Sequence, residues 1–221
     1  MSDGLHGHIP RLANIEEDIS DYVLSKLSTD TYKSKPFFLY GNSMGGAIVF
    51  NLCTRHQLGQ YIKGAVLISP MVKIADAMHP PKILTTFLRI IAAYLPLAPF
   101  TPVPNIALKC FKRSDMLARS QACPLVYRQN PRLGTALELF EATQDIAKRM
   151  MDLSVPVLIM HGEADAVTCH KNSITLYELC TSIDKTLKIY RDCWHSLIIG
   201  EPEPLASEIF NDVVNWLTER C

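Results

Sequence analysis

The chain has 221 residues, 48% of them hydrophobic and 20% charged, an ordinary globular make-up with room for one large domain or a domain with an insertion. Its 22 Lys and Arg balance its 22 Asp and Glu, so no net field draws nucleic acid or an anionic membrane from a distance, and no basic run makes a local patch. The seven cysteines are scattered with no CxxC pair, and there is no Asn-x-Ser/Thr sequon, which argues against a disulfide framework, a zinc site and a secreted product.

The opening MSDGLHGHIPRL lacks the apolar core of a signal peptide, so cytoplasm is the expected compartment. Asn14 reads as a helix N-cap with Glu17 three residues on, and Ile15, Ile19, Tyr22, Val23 and Leu27 then recur on one face. Residues 37–40 form the first short apolar run, a predicted strand, and residues 45–56 the helix after it. Residues 64–69 are the second strand. Residues 157–161 and 187–190 are the third and fourth, each followed by a helical pattern: residues 171–180, and then Leu205, Ile209, Val213, Trp216 and Leu217. All four runs are apolar rather than alternating, as in strands covered on both faces by helices. Strand and helix alternate, so the fold class is α/β with a mostly parallel sheet.

The alternation breaks between Ser69 and Val155. About 85 residues rich in proline (among them Pro80, Pro81, Pro96, Pro99, Pro102, Pro104, Pro124 and Pro131) separate strands that a simple crossover joins with far fewer. We expect a helix-rich lid over the sheet's C-terminal edge. Within it, residues 83–100 are the most apolar stretch, but Thr85, Thr86, Arg89, Pro96 and Pro99 rule out a bilayer-spanning helix. Leu84, Phe87, Leu88, Ile91, Tyr94 and Leu95 make an apolar helical stripe, suited either to burial against the protein or to peripheral membrane contact.

The first strand runs directly into Gly41-Asn42-Ser43-Met44-Gly45, a GxSxG motif followed by helix formers. A strand-to-helix turn this sharp exposes the Ser43 hydroxyl, and it demands small residues at Gly41 and Gly45 for close backbone passage. The Met44 N–H at the start of the helix is a candidate oxyanion donor. A glycine-rich turn with an incidental serine is the plain alternative; the strand before and helix after favour catalysis.

A serine nucleophile requires a histidine base and an acid that orients it. Asp165 follows the third strand in His161-Gly162-Glu163-Ala164-Asp165, and His195 follows the fourth in Cys193-Trp194-His195. The chain order Ser43, Asp165, His195 is that of α/β hydrolases and differs from the chymotrypsin and subtilisin orders. His6, His8, His56, His79, His161 and His170 compete for the base; only His161 lies near the expected edge, and there it reads as a structural strand-end residue. Glu163 is an alternative acid, and His161, Glu163 and Asp165 an alternative metal group. No metal or organic cofactor is expected.

These residues lie within a chain that resembles the monoacylglycerol lipases and lysophospholipases of the α/β-hydrolase superfamily, and especially their plant-type members, which include caffeoylshikimate esterases. The resemblance runs through SDGLHGHIP at 2–10, GNSMGG at 41–46, LISPMVKIAD at 67–76, NPRLGTALEL at 130–139, HGEADAVT at 161–168 and WHSLIIGEPE at 194–203. It implies Ser43, Asp165 and His195 as the triad. It also implies a hydrolase core in residues 1–74 and 151–221, and a cap in residues 75–150 that lines an acyl tunnel. The implied activity is hydrolysis of monoacylglycerol or lysophospholipid-type esters through an acyl-enzyme, with a caffeoylshikimate-type phenolic ester as the alternative within that class.

Family members place the first strands of the sheet and an HGxG loop, source of the second oxyanion donor, ahead of the SDGLHG segment. No HGxG precedes Ser43 here. The expectations are a sheet without its first strands, an exposed apolar edge, low solubility and impaired turnover. A non-catalytic binding protein that keeps the fold is the rival from another class.

Overall fold

A computed structural model of the chain describes residues 4–56, 58–73, 82–99 and 107–221. Among them are four parallel strands in the spatial order of the sequence: β1 (Phe38–Asn42), β2 (Gly64–Ile68), β3 (Val157–Gly162) and β4 (Lys185–Tyr190). Asn42 is level with Ile68, Ile68 with Met160, and Gly162 with Tyr190. Because all four strands run the same way, the loops carrying Ser43, Ser69, Asp165 and His195 all leave one edge of the sheet.

Strand periodicity explains the layers. Ala65 and Leu67 of β2 and Val157 and Ile159 of β3 pack into one core with α1 (Leu12–Leu27), α2 (Met44–Thr54) and α7 (His170–Leu179). Their sequence neighbours Val66, Ile68, Leu158 and Met160 face the opposite way, against Leu197 of α8 (Leu197–Gly200) and Ile209, Val213 and Trp216 of α9 (Leu205–Thr218). Successive side chains of a strand point to opposite faces, and both faces here are covered, so an unbroken apolar run is the required pattern. β2 and β3 are buried throughout, whereas β1 and β4 flank the described sheet and are only partly buried. The uniform burial expected of all four runs therefore holds only for the central pair.

Helix α1 begins two residues before the expected cap. Arg11 takes the N-cap position with no side-chain cap bond, and the N–H of Leu12 donates instead to Glu138 Oε1 at 2.7 Å. A long-range partner has replaced the local Asn14 cap. The same face of the helix α6 (Leu133–Lys148) holds the segment ahead of α1, for Thr135 Oγ1 accepts from Ile9 N at 2.9 Å and donates to Gly7 O at 3.2 Å. Inside α1, Glu16 is buried and accepts from Asn51 Nδ2 of α2 at 2.6 Å. Arg149 donates to the side-chain oxygen Oδ1 of Asn51, so this buried amide is satisfied at both its nitrogen and its oxygen.

Between β2 and β3 lie α3 (Lys82–Tyr94), α4 (Ala107–Cys110), α5 (Ser114–Ala122) and α6. His79, Pro80, Pro81, Pro102 and Pro104 fall outside the described residues, as does the side chain of Leu84. The stripe along α3 is covered only in part: Leu88 and Ile91 are half-buried, but Phe87 and Leu95 are more than half exposed and Tyr94 is 82% exposed. Among the described residues no helix is long and apolar enough to cross a membrane.

Candidate active site

The turn after β1 is held by its backbone. Ser43 sits at φ 56°, ψ −118°, a conformation that side chains other than glycine's rarely adopt and that persists only when the surroundings over-determine it. They do so here. Its N–H donates to Ile68 O at 2.9 Å, and its carbonyl accepts from Gly46 N at 2.9 Å and Met71 N at 3.0 Å. A Cβ on Gly41 would stand 2.3 Å from Gly45 O, inside backbone contact distance. The second small residue expected for this turn is not Gly45, whose added Cβ would meet no atom within 4 Å among the described residues. It is Gly46, where a Cβ would lie 2.7 Å from Pro70 Cβ, because the start of α2 presses on the chain leaving β2. Met44, the first residue of α2, precedes the first N–H that finds an acceptor within the turn.

Around Asp165 the geometry is made by side chains. Its carboxylate is fully buried. Oδ1 accepts the N–H groups of Val167 at 2.7 Å and Thr168 at 3.0 Å, while Oδ2 accepts from His195 Nδ1 at 2.7 Å and His161 Nε2 at 3.0 Å. Burial alone pushes this carboxyl up; the bonds from His161 and His195, the nearby His195 ring and the Val167 amide outweigh it and hold the group well below the usual carboxylate range.

An ionised carboxylate only accepts, so His195 carries its proton on Nδ1 and leaves Nε2 as the basic nitrogen. His161 likewise carries its proton on Nε2, with Ser173 Oγ 2.7 Å from its Nδ1. Thr168 Oγ1 stands 2.8 Å from Asp165 Oδ2 and 3.1 Å from Ser69 O. Ser69, which follows β2 at φ 43°, donates its hydroxyl to His195 O at 2.9 Å. A Cβ on Gly162 would fall 2.3 Å from Cys193 O, so the loops after β3 and β4 touch through their backbones.

The structure thus brings Asp165 and His195 into direct contact and sets Ser43 and Met44 on the same edge. Glu163 is exposed and takes no part in these bonds. His161, read from sequence as a strand-end residue or a metal ligand, is wholly buried and spends its Nε2–H on Asp165. Sequence reasoning missed the contributions of His161, Thr168, Ser173 and Ser69. The spacing of His161 four residues before Asp165 and Thr168 three after it is a usable signal only once the loop's path is known.

Comparison with known proteins gives the family. Residues 1–203 match the model of Hydrolase_4, described as serine aminopeptidase, S33. The chain is 30% identical to the caffeoylshikimate esterase of Arabidopsis thaliana over 99% of its own length and 66% of that protein's. It is 32% identical to the monoglyceride lipase of Homo sapiens over 86% of its length and 60% of that protein's, so it spans about two thirds or less of these relatives. Among solved structures it superposes on a soluble variant of monoglyceride lipase from Saccharomyces cerevisiae, in complex with a substrate analog. The TM-score is 0.81 at 22% identity, covering 96% of this chain and 71% of that one. On the monoacylglycerol lipase of Paleococcus ferrophilus it superposes with a TM-score of 0.75 at 21% identity, covering 93% and 76%. With an all-parallel sheet, a GxSxG turn after its first described strand and a family model matched over most of its length, the chain belongs to the serine aminopeptidase S33 family of α/β hydrolases.

Proposed function

We propose that the protein is a serine carboxylic-ester hydrolase acting on monoacylglycerol or lysophospholipid-type esters, with Ser43 as nucleophile, His195 as base and Asp165 as the acid that orients it. The observation that carries this reading is the 2.7 Å bond from His195 Nδ1 to a buried, ionised Asp165, which leaves Nε2 free to accept a proton on the edge that bears Ser43. Nε2 takes the hydroxyl proton as Oγ attacks the ester carbonyl. The same proton then passes to the departing alcohol, and water repeats the sequence to free the acid. Met44 N–H is one oxyanion donor.

We read residues 75–150 as a cap over a core formed by residues 1–74 and 151–221. The exposed Phe87, Ile90 and Tyr94 on α3 and Leu95 just after it support peripheral contact with membranes by a cytosolic protein, whose cysteines are all free thiols. A phenolic ester of the caffeoylshikimate type is the second reading, favoured by the 30% identity to the Arabidopsis esterase over nearly the whole chain. A fluorophosphonate probe should label the protein, and Ser43→Ala should abolish the labelling; equal labelling of both would end the proposal. Hydrolysis rates on a monoacylglycerol, a lysophosphatidylcholine and caffeoylshikimate then decide between the substrates.

A further inference from the structure

The cap reaches the base loop through a carboxylate that the chemistry above does not use. Glu201 follows α8, and its side chain is 0% exposed. One oxygen accepts the N–H of Trp194, the residue before His195, at 2.5 Å. The other faces Lys112 Nζ at 3.2 Å, as an ion pair without hydrogen-bond geometry. Lys112 lies in the cap between α4 and α5, and its ammonium also donates to Asp192 O.

The two backbones are stitched together around this pair. Ser196 N donates to Cys110 O at 3.0 Å, and Lys112 N and Arg113 N donate to Gly200 O at 3.0 and 3.1 Å. Residues 110–113 therefore grip the His195 loop at 192, 196 and 200 directly, and at 194 through Glu201. The contact is tight, since a Cβ on Gly200 would lie 2.6 Å from Ser196 Cβ and 3.2 Å from Cys110 O. A buried carboxylate is costly unless paired, and the partners of this one among the described residues are one amide beside the histidine and one cation from the cap.

We propose that Glu201 and Lys112 are positioning residues for His195, a clasp that makes the setting of the base depend on the seating of the cap. The claim rests on His195 being the base, and it deepens that reading: it names the cap residue through which movement of the lid is felt at the catalytic edge. Ser69 Oγ, bonded to His195 O, holds the loop from the sheet side, so removal of the clasp frees one side of the loop and leaves the fold in place.

The test uses the full chain with two readings, the rate of fluorophosphonate labelling and amide hydrogen exchange at Trp194 and Ser196 by NMR. Replacing a buried ion pair by apolar residues of similar size is commonly neutral or stabilising, so Lys112→Met with Glu201→Leu should melt with the parent chain. It should nevertheless label more slowly, on the order of tenfold to a hundredfold, and exchange faster at Trp194. A merely structural role predicts that restored stability restores both readings, and parent-like labelling in this folded double variant overturns the proposal, whatever the exchange.

Should the double variant not fold, Glu201→Gln, which keeps an acceptor for Trp194 and loses the charge, is judged by the same two readings, and Lys112→Arg should recover most of the parent rate. Absence of Ser43 labelling in the parent chain defeats the esterase reading and not the clasp. The clasp is then decided by exchange alone: faster at Trp194 and Ser196 supports it, and parent values overturn it.

Discussion

At the turn after β1 the backbone carries the geometry: Ser43 is held at φ 56° by bonds to Ile68, Gly46 and Met71, and Gly41 clears the start of α2 only because it has no Cβ. In the loops after β3 and β4 the side chains carry it, with Asp165 gathering His161, His195 and two amides around one buried carboxylate. The difference follows from what each end must hold. A hydroxyl is placed by aiming one short side chain, which sterics can do, whereas an imidazole needs both its tilt and its tautomer set, which takes a hydrogen-bond acceptor with partners of its own.

If the acid end works through hydrogen bonds, its largest break is Asp165→Asn. Asparagine keeps the shape but favours the wrong histidine tautomer, and turnover should fall on the order of 10⁴-fold by analogy with other triads, read as the rate of ester hydrolysis at unchanged circular dichroism. If the nucleophile end works through sterics, Gly41→Ala should be nearly as damaging. The new methyl meets Gly45 O at 2.3 Å, the turn must open, and labelling of Ser43 should slow on the order of a hundredfold for a displacement near 1 Å. Parent-like labelling in a folded Gly41→Ala chain would refute the steric account.

His161→Leu tests the support behind the acid and should cost about 1.5–3 kcal/mol, the scale of a hydrogen bond to a charged group. The sign with pH is defined. The Asp165 carboxyl is held below its ordinary value in the folded chain, so its ionised form contributes stability above the ordinary carboxylate range, and that contribution is lost as pH falls through the depressed folded value. Without the His161 bond the folded value rises and the stabilisation shrinks, so acid unfolding followed by circular dichroism should begin at a higher pH in the variant. The smallest effect belongs to Gly45→Ala. With no atom of the described residues within 4 Å of the new methyl and a helical position that favours Ala over Gly by up to about 1 kcal/mol, thermal melting should be unchanged or slightly raised and labelling unaffected.

Much of the framework is legible in the residues. The apolar runs at 37–40, 64–69, 157–161 and 187–190 correspond to β1 to β4 within two residues at each end; for the central β2 and β3, covered on both faces, there is little choice but to be apolar throughout. The helices after β1, β3 and β4 follow from the 3.6-residue period in the same way. The start of α1 is not legible, since Glu138, some 126 residues away, replaces the local cap. Nor is the exposure of α3, whose stripe has the same composition whether a core covers it or not.

Local sequence therefore determined the strands, their alternation with helices, the sharp turn at Ser43 and the loops that carry Asp165 and His195, since each depends on neighbours a few positions apart. Tertiary structure alone decided that His161 and Thr168 serve Asp165, that Gly46 rather than Gly45 makes the close contact at the turn, and that Glu201 and Lys112 meet beside Trp194. Those outcomes depend on which distant segments share an edge of the sheet, and a burial pattern records that a side chain is covered without recording by what.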